Sequence, residues 1–506
     1  MAEIIVESVE NLSVENKIPK SKLVNGLTKK LENDLFDEWK ILQGTFTAGF
    51  LIESLRQNDQ KFIENHGNRG VKEVRTFTAG FLIESLRQND QKFIENHGNR
   101  GVKEIKSEDI SKGKGFASIV LQCKIKSEDI SKGKGFASIV LQCKVFFVDS
   151  TSESDYYSTI LKIPGTESMT EAFEESFEYN KMEKNDKDAI YKKLVEIHDI
   201  ECSFYEELAP LIDFCVPKVH QTRNWIVGKQ QGVIHMDDLS TNTAGWIMFD
   251  TMNLVQIKAI VRQLARFHKI ILTTDEKLWK GKFLKNQEAY REMGPMVNVT
   301  IPKFLEMVKD DPYFEPLINK YLKFGANGDF FVYAFSESWK DLGMKPVIVH
   351  GDMWTGNILW KTDKYGEPTN EIVAFVDWQV FHEGSAMADL ARILTICCDG
   401  YIRRMAESEI IPFYLNELEN EMKKDGLECP FTLEQIQDAY DYMFLTQSFP
   451  LFIGAIFIKE VLTKNLEPSI GKAKNELIIF RCKQVLEDVD RILSGKYQKV
   501  FEKYGL

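Results

Sequence analysis

Two short apolar runs, each closed by an acid, stand out in the second half of the chain. Pro346-Val347-Ile348-Val349 leads into His350-Gly351-Asp352, and Ile372-Val373-Ala374-Phe375-Val376 leads into Asp377. Runs of this length beside turn-forming residues predict strands. Further upstream, Ile139 to Val148, Tyr157 to Ile163 and Gly232 to Met236 read as strands, with a turn over Asp149 to Asp155 between the first two. Helical spacing takes over elsewhere. Ile190, Leu194, Ile197, Phe204 and Leu208 share one face of a predicted helix from about Asp186 to Leu211. Leu254, Ile257, Ile260, Val261, Leu264, Phe267 and His268 form the face of another that begins near Asn253. Residues 283–345 read as helical with breaks at Pro295, Pro302, Pro312 and Pro316. Helices return over 390–398, 401–422, 433–457 and 472–493, punctuated by Pro430 and Pro450. Strands first and helices mostly later predict an α+β chain, with a small β-rich lobe ahead of a larger, mainly helical one.

The first third repeats itself. Residues 45–75 recur as 76–106 with changes only at Val74/Ile105 and Arg75/Lys106, and 105–124 recur unchanged as 125–144. Each unit occurs twice, whereas solenoids need three or more stacked units with distinct ends. The copies therefore read as recent segmental duplication or a mis-assembled gene model. The short unit holds Gly-Lys-Gly-Phe-Ala-Ser followed by an apolar strand. Its second copy, Gly133 to Ser138, runs directly into the strand pair described above, so it is the candidate phosphate-covering turn. Gly113 to Cys123 is then surplus, expected as an extra hairpin or loop. One of the 31-residue copies is expected to dock loosely for the same reason.

The remaining composition sets bounds. The chain of 506 residues carries a formal net charge of −12, with no basic block, which argues against general nucleic-acid binding. The eight cysteines form no CxxC pair and lie mostly in apolar runs, which suits buried thiols in a reducing, cytoplasmic setting. No signal peptide is apparent at Met1 to Glu7, and the apolar run Phe449 to Ile458 is too short to span a bilayer. A monomer is a sufficient expectation.

The chemistry lies in spacing. His350-x-Asp352 is followed by Asn357 five positions after the acid, and Asp377 closes a strand twenty residues further on. Two acids and an amide at strand ends are what a metal-dependent phosphoryl transferase needs. Asp352 is the candidate base or substrate-orienting acid. Asn357 and Asp377 offer hard oxygen donors suited to Mg²⁺. His350 fixes the loop, and Gly351 lets it turn. Taken singly, Asp352 and Asn357 also fit a turn or helix cap, and Asp377 a strand-end turn. Lys162, inside the apolar run Thr159 to Ile163, needs a partner if it faces a closed cleft, and Glu201 on the next helix offers one. Gly133, Gly135 and Ser138 would close over phosphates, and backbone groups of Met236, Asp237 and Leu239 would read an adenine edge. Trp354, Trp360 and Trp378 read as packing around the loop, with His198 and His268 as packing residues. Asp389 reads as capping or anchoring a helix beneath the site.

These segments resemble the choline-kinase-like and ecdysteroid-kinase-like proteins, within the aminoglycoside phosphotransferase and protein-kinase-like fold. The likeness is strongest to the nematode branch. It is carried by SKGKGFAS (131–138), ILKIP (160–164), HDIECSFY (198–205), GVIHMDDLS (232–240), VHGDMWTGNILW (349–360), FVDWQ (375–379) and ADLAR (388–392). The resemblance implies a bilobal kinase-like fold, with an N-terminal extension over 1–124, an N-lobe over 125–239 and a C-lobe over 240–506. It implies ATP and Mg²⁺ as cofactors, and phosphorylation of a small-molecule hydroxyl, on an amino-alcohol or a sterol-like alcohol. It also implies Asp352 as the catalytic aspartate, Asn357 and Asp377 as metal ligands, Lys162 as the phosphate-binding lysine and Glu201 as its partner. A nucleotide-binding module without turnover and a protein kinase are the alternatives. No segment resembles a peptide-docking activation loop.

Overall fold

The structure is a computed structural model. It describes residues 184–227, 229–245, 251–459 and 466–506 as long stretches, with 40–41, 46–47, 90, 93, 102–109, 118–121, 138–147, 156–165 and 463 in addition. Gly133, Gly135 and most of the two 31-residue copies lie outside the described residues. The chain divides into two compact units. One comprises Met1–Ser107 and Cys143–Thr159, the other Glu108–Gln142 and Ile160–Leu506. In the first, Lys40–Ile41 pairs antiparallel with Phe46–Thr47.

The second unit carries the site. Its strand-rich region contains β1 (Ser118–Leu121), the start of β2 (Ser138–Phe147), the end of β3 (Tyr156–Pro164), β4 (Val219–Arg223) and β5 (Val233–Asp237). The sheet runs β2-β3-β5-β4, with β1 beside β2. Between β3 and β4 lies helix α1 (Lys184–Ser203), which continues through a wide turn over Phe204–Leu208. Alternation along β3 leaves Leu161, Lys162 and Ile163 all buried. Both faces of this strand are covered, so a lysine here has no route to water.

The first copy of the short duplication departs from expectation. β1 pairs in parallel with β2, Ser118 opposite Ser138 through Leu121 opposite Leu141. Instead of a surplus hairpin or loop, the copy supplies a strand. Identical segments share strand propensity and side alternation, so in-register pairing sets like side chains beside like on each face. The intervening residues 122–137 are long enough for the crossover that a parallel pair requires.

The helical region begins with α2 (Leu254–Thr273), capped reciprocally by Asn253 and Gln256. Ile257, Ile260, Val261, Leu264 and Phe267 are buried on its inner face, each contributing about 1.5–3 kcal/mol by burial. Helix α3 (Met293–Met307) runs straight through Pro302, and Pro316 lies in the first turn of α4 (Phe314–Gly325). The expected breaks at Pro302 and Pro316 therefore do not occur. A first-turn proline forfeits no helical hydrogen bond, and burial of Val297, Ile301 and Phe304 offsets the cost of the internal one. Small strands β6 (Val347–Val349), β7 (Ile358–Thr362), β8 (Pro368–Phe375) and β9 (His382–Gly384) follow. Helices α5 (Ala388–Cys397), α6 (Gly400–Lys423), α7 (Leu433–Ser448) and α8 (Pro468–Leu493) follow, with shorter helices over Pro450–Phe457 and Gln498–Gly505. The fold class is α+β, a smaller strand-rich region followed by a larger helical one. No helix among the described residues is long and apolar enough to cross a membrane.

His268 packs where α2 meets α6, its Nδ1 2.7 Å from the Tyr414 hydroxyl. Burial pushes its imidazole down to about 3. Below pH 6.5 the unfolded chain takes up a proton that the folded chain refuses, so stability through this residue falls as pH falls. From pH 7 to pH 5 the loss is about 2 kcal/mol. Denaturant unfolding of wild type and His268→Gln should show their stability difference shifting against wild type by that amount. A pH-independent difference would mean that His268 titrates normally in the fold.

Candidate active site

Lys162 bridges two carboxylates. Its Nζ lies 2.5 Å from Glu201 Oε2 on α1 and 2.6 Å from Asp377 Oδ1 beyond the end of β8. All three residues are buried. Burial disfavours the Lys162 ammonium, but Asp377 and Glu201 outweigh it and hold the group above the ordinary lysine value. Burial pushes the Glu201 carboxyl up to about 7, opposed by Lys162 and reinforced by Asp377. With two carboxylates against one ammonium, the cluster is short of positive charge.

Asp377 reaches this position through unusual backbone. At φ +70° it is the one non-glycine residue with positive φ among those described. Aspartate tolerates this left-handed conformation better than most side chains, at a cost of about 1–3 kcal/mol. The turn is held on both sides. Val376 N donates to Asn357 O at 3.0 Å, and Val376 O lies 2.9 Å from His350 Nε2. Next in sequence, Trp378 stacks on Phe204 at 3.9 Å with the rings nearly parallel, and its indole N–H donates to Phe375 O. Helix α1 and its continuation thus meet the 377–378 turn twice, through Glu201 by way of Lys162 and through Phe204 directly. Trp354 and Trp360 are buried as well, so all three indoles pack.

The loop after β6 carries Asp352 and Asn357. The Asn357 amide nitrogen donates to Asp352 O at 2.8 Å and lies 3.5 Å from Asp352 Oδ2. His350 Nδ1 accepts from Asp352 N at 3.2 Å. Beneath the loop, Asp389 accepts from His350 N and Gly351 N at 2.8 and 2.9 Å. The expected anchor is real, but it holds the loop backbone and does not cap its own helix. Two residues escaped the sequence reading as site components. Arg392 donates to Asp352 Oδ1 and, at 2.9 Å, to Gln447 Oε1 on α7. The available signal for Arg392 was its position three residues after Asp389, on the same helix face. Gln447 had none, because it lies far along the chain.

Gly351 has φ +81°, and a Cβ there would run into the Val380 carbonyl oxygen. Gly351→Ala is expected to destabilise the fold by about 2 kcal/mol or more and to displace Asp352. Thermal unfolding alongside turnover checks this, and a fully stable, fully active variant would contradict the loop geometry.

On the nucleotide side of the reading, Ser138 is buried at the start of β2. Four residues along that strand, Gln142 donates to Asp238 Oδ2 at 2.7 Å and to Ser240 Oγ at 3.0 Å. Met236 is buried. Asp237 N is taken by Lys218 O, and its Oδ1 lies 2.8 Å from His220 Nε2. Leu239 O accepts from Thr243 Oγ1 at 2.7 Å. The structure therefore brings Lys162, Glu201 and Asp377 together, and joins Asp352, Asn357 and His350 to them through Val376. A surface cavity of about 640 Å³ beside α2 and the β7–β8 hairpin, lined by Arg262, Gln263, Lys361 and Glu371, contains none of these residues.

The family model described as "Uncharacterized oxidoreductase dhs-27" (DUF1679) matches residues 118–496. The chain belongs to this family. Two relatives from Caenorhabditis elegans are similar to this DUF1679 member. "Uncharacterized oxidoreductase dhs-27" is 28% identical over 302 residues, covering 59% of this chain and 36% of that protein. "Uncharacterized kinase-like protein D1044.1" is 25% identical over 307 residues, covering 57% and 75% respectively. The chain thus spans about a third of the length of dhs-27. Among solved structures, choline kinase from Cryptosporidium parvum Iowa II aligns with TM-score 0.41 and 12% identity, over 83% of this chain and 98% of that one. A putative aminoglycoside phosphotransferase from Ralstonia eutropha aligns with TM-score 0.36 and 12% identity, over 73% and 94%.

Proposed function

We propose that this chain is an ATP- and Mg²⁺-dependent phosphotransferase that moves the γ-phosphoryl group to a hydroxyl of a small molecule, an amino-alcohol or a sterol-like alcohol. The observation that carries the reading is the buried Lys162 bridging Glu201 and Asp377, one residue from the backbone bond that ties this turn to Asn357. The word "kinase-like" in the name of one relative agrees with it. The nematode origin of both relatives supports the finer family assignment.

The residues fit a magnesium site. Asp377 and Asn357 offer carboxylate and amide oxygen, the hard donors Mg²⁺ takes, and the acidic excess around Lys162 favours a further cation. Asn357 spends its amide nitrogen on Asp352, the orientation that assigns its carbonyl oxygen to a metal. Bound Mg²⁺ would neutralise charge on the phosphates. Lys162, aligned by Glu201, would contact phosphate oxygens, and Gly133, Gly135 and Ser138 would cover them. Backbone of Met236 to Leu239 would face the base. Asp352 would receive the acceptor proton late in a loose transfer, when the attacking oxygen has become acidic. His350 and Asp389 hold the loop in place. The free thiols of Cys202, Cys215, Cys397, Cys398, Cys429 and Cys482 suit a reducing, cytoplasmic setting.

The test is a metabolite-extract screen with γ-labelled ATP, with Asp352→Asn as control. Label on a small alcohol, absent with the variant, supports the reading. ATP binding without transfer to any extract component would favour the non-catalytic module, and label on protein serine or threonine would favour a protein kinase.

A further inference from the structure

We propose that Arg392 is a positioning residue for Asp352, holding one carboxylate oxygen so that the other alone faces the acceptor. This rests on the phosphotransferase reading above. Helix α5 grips the 350–352 loop at two points. Asp389 takes the backbone N–H groups of His350 and Gly351, and Arg392, one turn on, takes the side chain of Asp352 through Nη2. The second guanidinium arm, Nη1, donates to Gln447 Oε1 on α7 at 2.9 Å. Nε of Arg392 is buried and has no hydrogen-bond partner among the described residues. The planar fork is therefore pinned between two helices and the loop, and its direction is set by α7 as well as by Asp352.

The consequence is atomic. Asp352 Oδ1 is occupied by Arg392. Oδ2 lies 3.5 Å from the Asn357 amide nitrogen, too long for a strong bond. Oδ2 is thus the oxygen available to an acceptor hydroxyl. In the transfer, the acceptor O–H proton passes to Oδ2. The acceptor oxygen's electron pair forms the new O–P bond, and the electrons of the broken P–O bond leave on the β-phosphate of ADP. Fixing the carboxylate plane sets the line along which the hydroxyl approaches, and small misplacements of such a group cost about a hundredfold. Lysine cannot substitute, because an ammonium lacks the planar two-armed fork that reaches Asp352 and Gln447 together.

The test compares wild type, Arg392→Gln, Arg392→Lys and Gln447→Leu, with Mg·ATP as the probe and water as acceptor. ADP release, Mg·ATP affinity by fluorescence titration and thermal midpoint are measured for each. Both Arg392 variants should lose about ten- to a hundredfold in kcat while KM and affinity for Mg·ATP stay within about twofold. Gln447→Leu should lose less, in the same direction. Unchanged kcat in Arg392→Gln overturns the proposal alone, as does a loss shared equally by affinity and thermal midpoint, the mark of a structural role. A wild-type chain that binds Mg·ATP and transfers phosphate neither to water nor to any component of the metabolite extract overturns the phosphotransferase reading, and this proposal with it.

Discussion

Asp352→Asn should lower turnover by about a thousandfold while leaving Mg·ATP affinity within a few-fold of wild type. The amide keeps the shape of the side chain and the backbone contacts of the loop. His350 still accepts from the residue 352 amide, and Asp389 still holds His350 and Gly351. What disappears is a charged oxygen able to take the acceptor proton, and with it the ion pair to Arg392. That pair is partly exposed, so its loss should move stability little. Single-turnover transfer from γ-labelled ATP, beside a binding titration, separates the two effects. A variant that binds as well as wild type and also turns over as fast would remove Asp352 from the chemistry. A variant that fails to bind would shift its role toward the metal.

Lys162→Met should be the most destabilising single change in the site, by about 3–5 kcal/mol. Methionine fills similar volume but leaves Glu201 and Asp377 buried with no cation between them. The deficit should depend on pH with a definite sign. Burial already holds the Glu201 carboxyl up, and without Lys162 nothing opposes that rise. Its folded pKa then lies further above the unfolded one, so the variant regains stability as pH falls and loses it as pH rises through the folded value. Denaturant unfolding of Lys162→Met should therefore approach wild type near pH 5 and diverge from it above pH 7. Lys162→Met/Glu201→Gln should recover part of the loss. Equal stability of Lys162→Met and wild type at pH 8 would mean that the buried bridge does not form.

Much of the site was legible because its chemistry is local. Asp352 and Asn357 sit on one loop, and their amide–carboxylate contact follows from a separation of five residues. The strand before each acid was readable from an unbroken apolar run. Lys162 was conspicuous because a single charge interrupts such a run, and Glu201 because it sits on the apolar face of the next helix. Less legible were contacts between distant elements whose residue types are ordinary. An arginine on one helix and a glutamine on another carry no pattern that joins them. Pro302 misled for the opposite reason. Its local preference against a helix interior is outweighed by the burial of Val297, Ile301 and Phe304 around it.

The duplicated segment shows the same division. Its strand propensity was evident in both copies, yet nothing local says that identical strands will lie side by side. By itself the sequence determined the α+β class, the order of strands and helices, and the acids and amide at the loop and strand ends. These follow from periodicity, turn chemistry and short-range geometry. Only the tertiary structure decided that Lys162 serves Glu201 and Asp377 together, that Asp377 turns in at positive φ, and that Arg392 grips Asp352. Those arrangements depend on where separate elements pack, and packing is settled by the whole core at once.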